Sequence, residues 1–173
     1  MTTRPISQRI FDTRAPRAVL IIRILVGWVF VSEGVQKFLF PAEVGSGRFA
    51  KIGIPMPDVM GPFVGVVETV CGSLLLAGLG TRIAAGILIV NMLVAITSTK
   101  IPILLGRGFW GFAAPKARSG IWSMLHEART DFSMVLGSVF LLVVGAGRRS
   151  LDARIASRLG GERNPSCSGD ERQ

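Results

Sequence analysis

Apolar residues in this chain gather into four long runs separated by short polar breaks. The runs are 18–40 (AVLIIRILVGWVFVSEGVQKFLF), 59–79, 82–105 and 125–147, the last with its apolar part at 131–146. About 20 mostly apolar residues cross a bilayer as a helix. In lipid an open chain must pair every backbone polar group internally, so each run predicts a transmembrane helix. Breakers fall between the runs: Pro41, then Pro55, Pro57 and Pro62, then the turn Gly78-Leu79-Gly80, then Pro102, Pro115 and Gly120. The turn at 78–80 is short enough to force a tight hairpin. The pattern predicts an all-α fold: an integral membrane, antiparallel four-helix bundle over 18–147.

The flanks complete the layout. Residues 1–17 are a basic tail, and the first run reads as an uncleaved signal-anchor rather than a cleaved signal peptide. After the last run, Ser150 suits an N-cap, and Leu151, Ile155 and Leu159 repeat every four residues beside Arg149, Arg154 and Arg158. Residues 148–163 are therefore expected to form an amphipathic helix on the cytoplasmic face, drawn by anionic lipid. Residues 164–173 (NPSCSGDERQ) read as a disordered tail.

Composition agrees with a membrane chain. Hydrophobic residues make up 49% and charged residues 18% of 173, with mean hydropathy +0.50, whereas soluble domains carry about 25% charged residues. The net charge of +9 would suggest nucleic acid in a soluble protein. Here the basic residues lie between and beyond the apolar runs, so nucleic acid is not expected and the lipid bilayer is. The two tails and the tight hairpin hold 11 Lys and Arg, against 6 on the opposite side. The positive-inside rule then places both termini in the cytoplasm.

Five ionisable residues within the runs stand out: Arg23, Glu33, Lys37, Glu68 and Lys100. Each charge at membrane depth costs roughly 2.5–3.5 kcal/mol on insertion scales, so each needs a partner or a task. Arg23, Lys37 and Lys100 lie close to helix ends, and snorkelling is the plain expectation for Arg23 and Lys100. Glu33 and Lys37 have the i, i+4 spacing of a helical ion pair. Arg23, Gly27, Phe30, Gly34 and Lys37 share one stripe, which should face another helix. Glu68 lies near mid-bilayer on the stripe of Gly61, Gly65 and Gly72, where snorkelling fails. It predicts an interhelical salt bridge or a polar pocket for a headgroup, a quinone or a proton. Asn91 is read as interhelical glue. Lys100 falls on the opposite side of its helix from Asn91, so one cavity should not receive both.

The segment 106–130 interleaves Phe109, Trp110, Phe112 and Trp122 with Arg107, Lys116 and Arg118, and reads as an interfacial loop. His126 is its lone histidine. The chain has no CxxC, phosphate-binding loop, GxGxxG after a strand, metal-ligand cluster or Ser-His-Asp set. No metal and no covalent cofactor is expected, and Cys71 and Cys167 should not meet.

Three stretches resemble the DoxX family of small membrane proteins. Gly34-Val-Gln-Lys37-Phe38 is similar to its G-x-x-K pattern. Glu68-x-x-x-Gly72-x-Leu74-Leu75-Leu76-x-Gly78-Leu79-x-Thr81-Arg82 is similar to its second-helix pattern, and Gly145-x-Gly147-Arg148-x-Ser150-Leu151-Asp152 to its closing motif. The resemblance implies a four-helix protein of the bacterial inner membrane. It also implies a quinone-interacting or non-catalytic subunit of an oxidoreductase system, with a soluble or membrane oxidoreductase as partner. Glu33, Lys37 and Glu68 would line the pocket and Lys100 its outer rim. The cysteines of the distantly related vitamin K epoxide reductase type have no match. The rival readings are a scaffold or chaperone, in which the same charges only lock helices, and a small transporter built as a homo-oligomer.

Overall fold

The computed structural model describes residues 18–114, 119–147 and 149–161. Every regular element among them is helical: α1 (Val19–Leu39), α2 (Ser46–Ile52), α3 (Pro57–Ala77), α4 (Thr81–Leu105), α5 (Ile121–Val144) and α6 (Leu151–Gly161). α1 lies along α3, and α4 along α5, with further contact of α4 on α3 and of α5 on α1. Val26, Phe30, Leu75, Ala85, Leu88, Met92 and Leu141 meet in the core. The outward faces of the same helices carry Ile21, Trp28, Phe63, Val66, Val90, Leu93 and Phe132, all exposed. An apolar outside around an apolar inside is what a chain dissolved in lipid needs, since only packing, not water, selects the inner face.

Three helices, α1, α3 and α4, are long and apolar enough to cross a membrane. The helix of the fourth apolar run starts at Ile121, beside Trp122, and stops at Val144. The first half therefore carries Glu127, Arg129 and Asp131, which removes it from that group.

The connector 41–56, read only as breakers, contains α2. It ends at Gly53, whose φ of 92° is a left-handed C-cap conformation. α2 sits on α3. Gly61 is the reason it can: a Cβ there would lie 2.7 Å from the Ser46 nitrogen. Gly61 thus seats α2, whereas Gly65 and Gly72 form the seam with α1. The other end of α2 is tied to the 109–112 turn by Ala113 N–H donating to the Ile52 carbonyl at 2.8 Å. Trp110, at the tip of that turn, is 86% exposed. Lys116, Arg118 and Arg148 lie outside the described residues, as do 1–17 and 164–173.

Candidate functional site

The α1–α3 seam is built from glycines. A Cβ at Gly27 would stand 2.9 Å from the Gly72 carbonyl oxygen, and one at Gly34 would stand 2.7 Å from that of Gly65. Small residues at i, i+7 on both helices let the backbones approach closely. That approach carries Lys37 of α1 across to α3, where its Nζ meets Glu68 Oε2 at 2.5 Å, with both side chains 8–9% exposed. Asn91 of α4 donates from Nδ2 to the other carboxylate oxygen, Oε1, at 2.9 Å. Glu68 is thus held by two helices at once, by Lys37 of α1 and Asn91 of α4.

The i, i+4 pair anticipated within α1 does not form. Lys37 donates only weakly to the Glu33 main-chain oxygen, at 3.4 Å, and turns its charge to Glu68. A buried carboxylate requires a cation more than an exposed one does. The Glu33 side chain has no ion-pair partner among the described residues.

Lys100 is also buried rather than snorkelling. Its Nζ lies 3.2 Å from Asp131 Oδ2 and 4.0 Å from Glu127 Oε2, both on α5. Asp131 was not singled out by the sequence reading, although a signal was present. Asp131, Met134, Ser138 and Leu141 follow i, i+3, i+7, i+10, and the last three are the buried face of α5.

Between these pairs lies a cavity of about 330 Å³. Glu33, Lys37, Glu68, Asn91, Lys100 and Asp131 supply its charged and amide groups. Phe30, Val64, Met92 and Met134 supply apolar wall, and Arg48, Phe49 and Ile52 of α2 close one end. Asn91 and Lys100 both reach it, against the expectation from their opposite helical positions. A lysine stem is several carbons long, and the cavity is lined by residues of α3, α4 and α5 alike. Arg48 was missed for a different reason: a seven-residue helix carries no usable periodicity.

The other end of the helices holds a second polar cluster. Arg23 is 2% exposed. Its Nε donates to the Leu75 carbonyl at 2.8 Å and Nη2 to the Leu76 carbonyl at 2.7 Å. Nη1 donates to the Ala146 and Arg149 carbonyls at 3.0 and 2.8 Å. Arg23 therefore does not snorkel: it caps α3 and holds the segment after α5. The Gly78 position abuts its guanidinium, so no side chain fits there.

Asp152 completes this cluster, accepting from the Gly80 and Thr81 N–H groups at 2.7 and 3.1 Å. Its own N–H donates to the Gly78 carbonyl at 2.9 Å. The cation thus sits at the negative end of α3 and the anion at the positive end of α4, each matched to a helix dipole. Ser150 Oγ accepts from Ala153 N–H at 3.1 Å, the cap expected for α6. Arg82 reaches the Val143 carbonyl at 3.3 Å. Gly147 accepts the Ser150 hydroxyl on its carbonyl at 2.7 Å. Thr81, Arg82, Gly147, Ser150 and Asp152 thus come together around one turn.

Cys71 is buried in the core as a free thiol, and Cys167 lies outside the described residues. His126 contacts Arg129 on an exposed face of α5. Among the described residues no three His, Cys, Asp or Glu side chains group as metal ligands.

A family model described as DoxX matches residues 18–101. An uncharacterized membrane protein of Mycobacterium tuberculosis, Rv3486, is 49% identical over 150 residues, covering 87% of this chain and 88% of that protein. The chain belongs to the DoxX family. An uncharacterized protein of Haemophilus influenzae is 34% identical over 138 residues, 79% of this chain and 90% of that protein. No solved structure matches. The DoxX match takes in Arg23, Glu33, Lys37, Arg48, Glu68, Asn91 and Lys100. Asp131 and Asp152, which complete the two clusters, lie beyond it.

Proposed function

We propose that this DoxX-family protein is a membrane binding protein whose cavity receives the polar head of an amphiphile from the bilayer. The observation that carries the reading is the 330 Å³ cavity bordered by one buried and one half-buried ion pair from four helices and walled elsewhere by apolar side chains. Binding pockets combine a mostly apolar wall with a few converging polar groups in this way. A quinone is one head group of this size, and a quinone-binding subunit of an oxidoreductase system follows from the family resemblance. The chain's own residues bind and orient; no group among them carries electrons, so any redox step belongs to the quinone and its partner protein.

Native mass spectrometry in mild detergent tests the reading. The wild type is expected to retain one amphiphile per chain, and Ala95→Phe, which fills the cavity from α4, to lose it. Wild type without a retained amphiphile, or a variant that retains it equally, rejects the proposal.

A second reading has its own support. Both oxygens of Glu68 are already satisfied within the protein, as a purely structural lock between helices requires. A scaffold or chaperone would need no more.

The same proposal has four helices crossing the bilayer, with α5 among them. Its 24 residues span about 36 Å at 1.5 Å per residue, and pairing with Lys100 shelters Asp131. Both termini, with α6, then lie in the cytoplasm, beside the excess of arginine. Reporter fusions after Arg149 are expected to be active in the cytoplasm and fusions at Ser46 outside. An external C-terminus would overturn the orientation and the number of crossings.

A further inference from the structure

Of the six ionisable side chains at the cavity, four are already committed to each other. Lys37 holds Glu68, and Lys100 holds Asp131. The remaining two, Glu33 on α1 and Arg48 on α2, line the same cavity. Neither has an ion-pair or side-chain hydrogen-bond partner among the described residues. Both residues are exposed. A committed pair offers little to a ligand, because breaking it strands a buried charge. The free pair is different: it can gain a partner without losing one.

We infer that Glu33 and Arg48 are the ligand contacts, and that the cavity selects a zwitterionic head group carrying an ammonium and a phosphate. This rests on the binding reading above and names the class of head group. A carboxylate accepts hydrogen bonds and offers none, so Glu33 calls for a donor or a cation. The guanidinium of Arg48 only donates, in a fork that matches phosphate oxygens. A head group with acceptors alone, such as an oxidised quinone, leaves Glu33 facing an oxygen. An anionic head without a cation satisfies Arg48 but offers Glu33 at most neutral hydroxyl donors, which hold a carboxylate less strongly than an ammonium does. A phosphoethanolamine head satisfies both, with apolar wall of Phe30, Val64 and Met92 beside it for the start of its acyl chains.

Short-chain phosphatidylethanolamine and phosphatidylglycerol, in competition for the full-length protein in detergent, test this by native mass spectrometry. Wild type is expected to prefer the ethanolamine lipid by about tenfold, the effect of one charge-assisted hydrogen bond. Glu33→Gln keeps the shape and removes the charge, and should bring the preference close to one. Arg48→Gln should weaken retention of both lipids. Both positions are exposed and unpaired, so these variants should melt with the wild type. Free phosphoethanolamine separates the two sources of the head group: displacement of the lipid at millimolar concentration assigns a soluble zwitterion, and lack of displacement assigns the lipid. A Glu33→Gln variant that keeps the wild-type preference overturns the inference. So does a wild type that binds a short-chain quinone through the Ala95→Phe-sensitive cavity with no lipid preference, and that result leaves the broader binding reading intact. Retention of neither lipid nor quinone rejects both.

Discussion

Replacing Arg23 by leucine is expected to cause the largest loss of stability of any single substitution in this chain. Leucine fills some of the volume but donates nothing to the carbonyls of Leu75, Leu76, Ala146 and Arg149. Leu75 and Leu76 lie in the last turn of α3, where carbonyls run short of helical partners; among the described residues Leu75 accepts only from the Gly78 cap besides Arg23. Leaving buried carbonyls without their donor costs about 1–3 kcal/mol each, several kcal/mol together, or roughly 10 °C in Tm for a chain of this size. The segment after α5 should also loosen, because two of the four bonds hold it. Thermal unfolding in detergent, together with limited proteolysis near Arg149, measures both effects. Arg23→Lys should recover only part of the loss, since an ammonium does not reach four acceptors with the geometry of a guanidinium. A leucine variant with wild-type Tm and an uncleaved C-terminal segment would refute this role.

Glu68→Gln comes second. The amide keeps the shape and retains a hydrogen bond with Asn91, but leaves the Lys37 ammonium buried without its anion. Loss of one partner of a buried pair costs about 3–5 kcal/mol. Lys37→Met alone should cost a similar amount. The two together should cost much less than their sum, because the double variant leaves neither charge stranded. A double-mutant cycle read from Tm shifts therefore isolates the pair. Additive losses would mean that the two side chains do not depend on each other. An unchanged Glu68→Gln protein would mean that the carboxyl is neutral and passive in the native state.

These two positions also show how far the sequence could be read. The glycine stripes of α1 and α3 were visible as i, i+4, i+7 patterns, because helical periodicity is a local property of the chain. Their facing glycines now form the α1–α3 seam. Glu68 was recognisable by the same means: an acid on a small-residue stripe far from either helix end needs a partner. The pairing was not legible. Spacing within α1 pointed Lys37 at Glu33, and the structure gives it to Glu68. That choice depends on how closely two helices approach and in which register. Both are set by glycines seven residues apart on different segments.

Arg23 marks the same boundary more sharply. Its distance from the helix end suggested a side chain reaching for water, and nothing local distinguishes that from a buried cap. Only the return of the chain after α5 brings the carbonyls of Ala146 and Arg149 to it. The closing motif around Ser150 and Asp152 likewise acquires its role by meeting the turn between α3 and α4 from about 70 residues away. The chain by itself determined that its helices are apolar, which faces are small, and that Glu68 needs a partner. The tertiary structure decided which charges meet, because in a lipid-facing bundle the inner contacts are chosen by close packing between helices rather than by hydrophobicity along one of them.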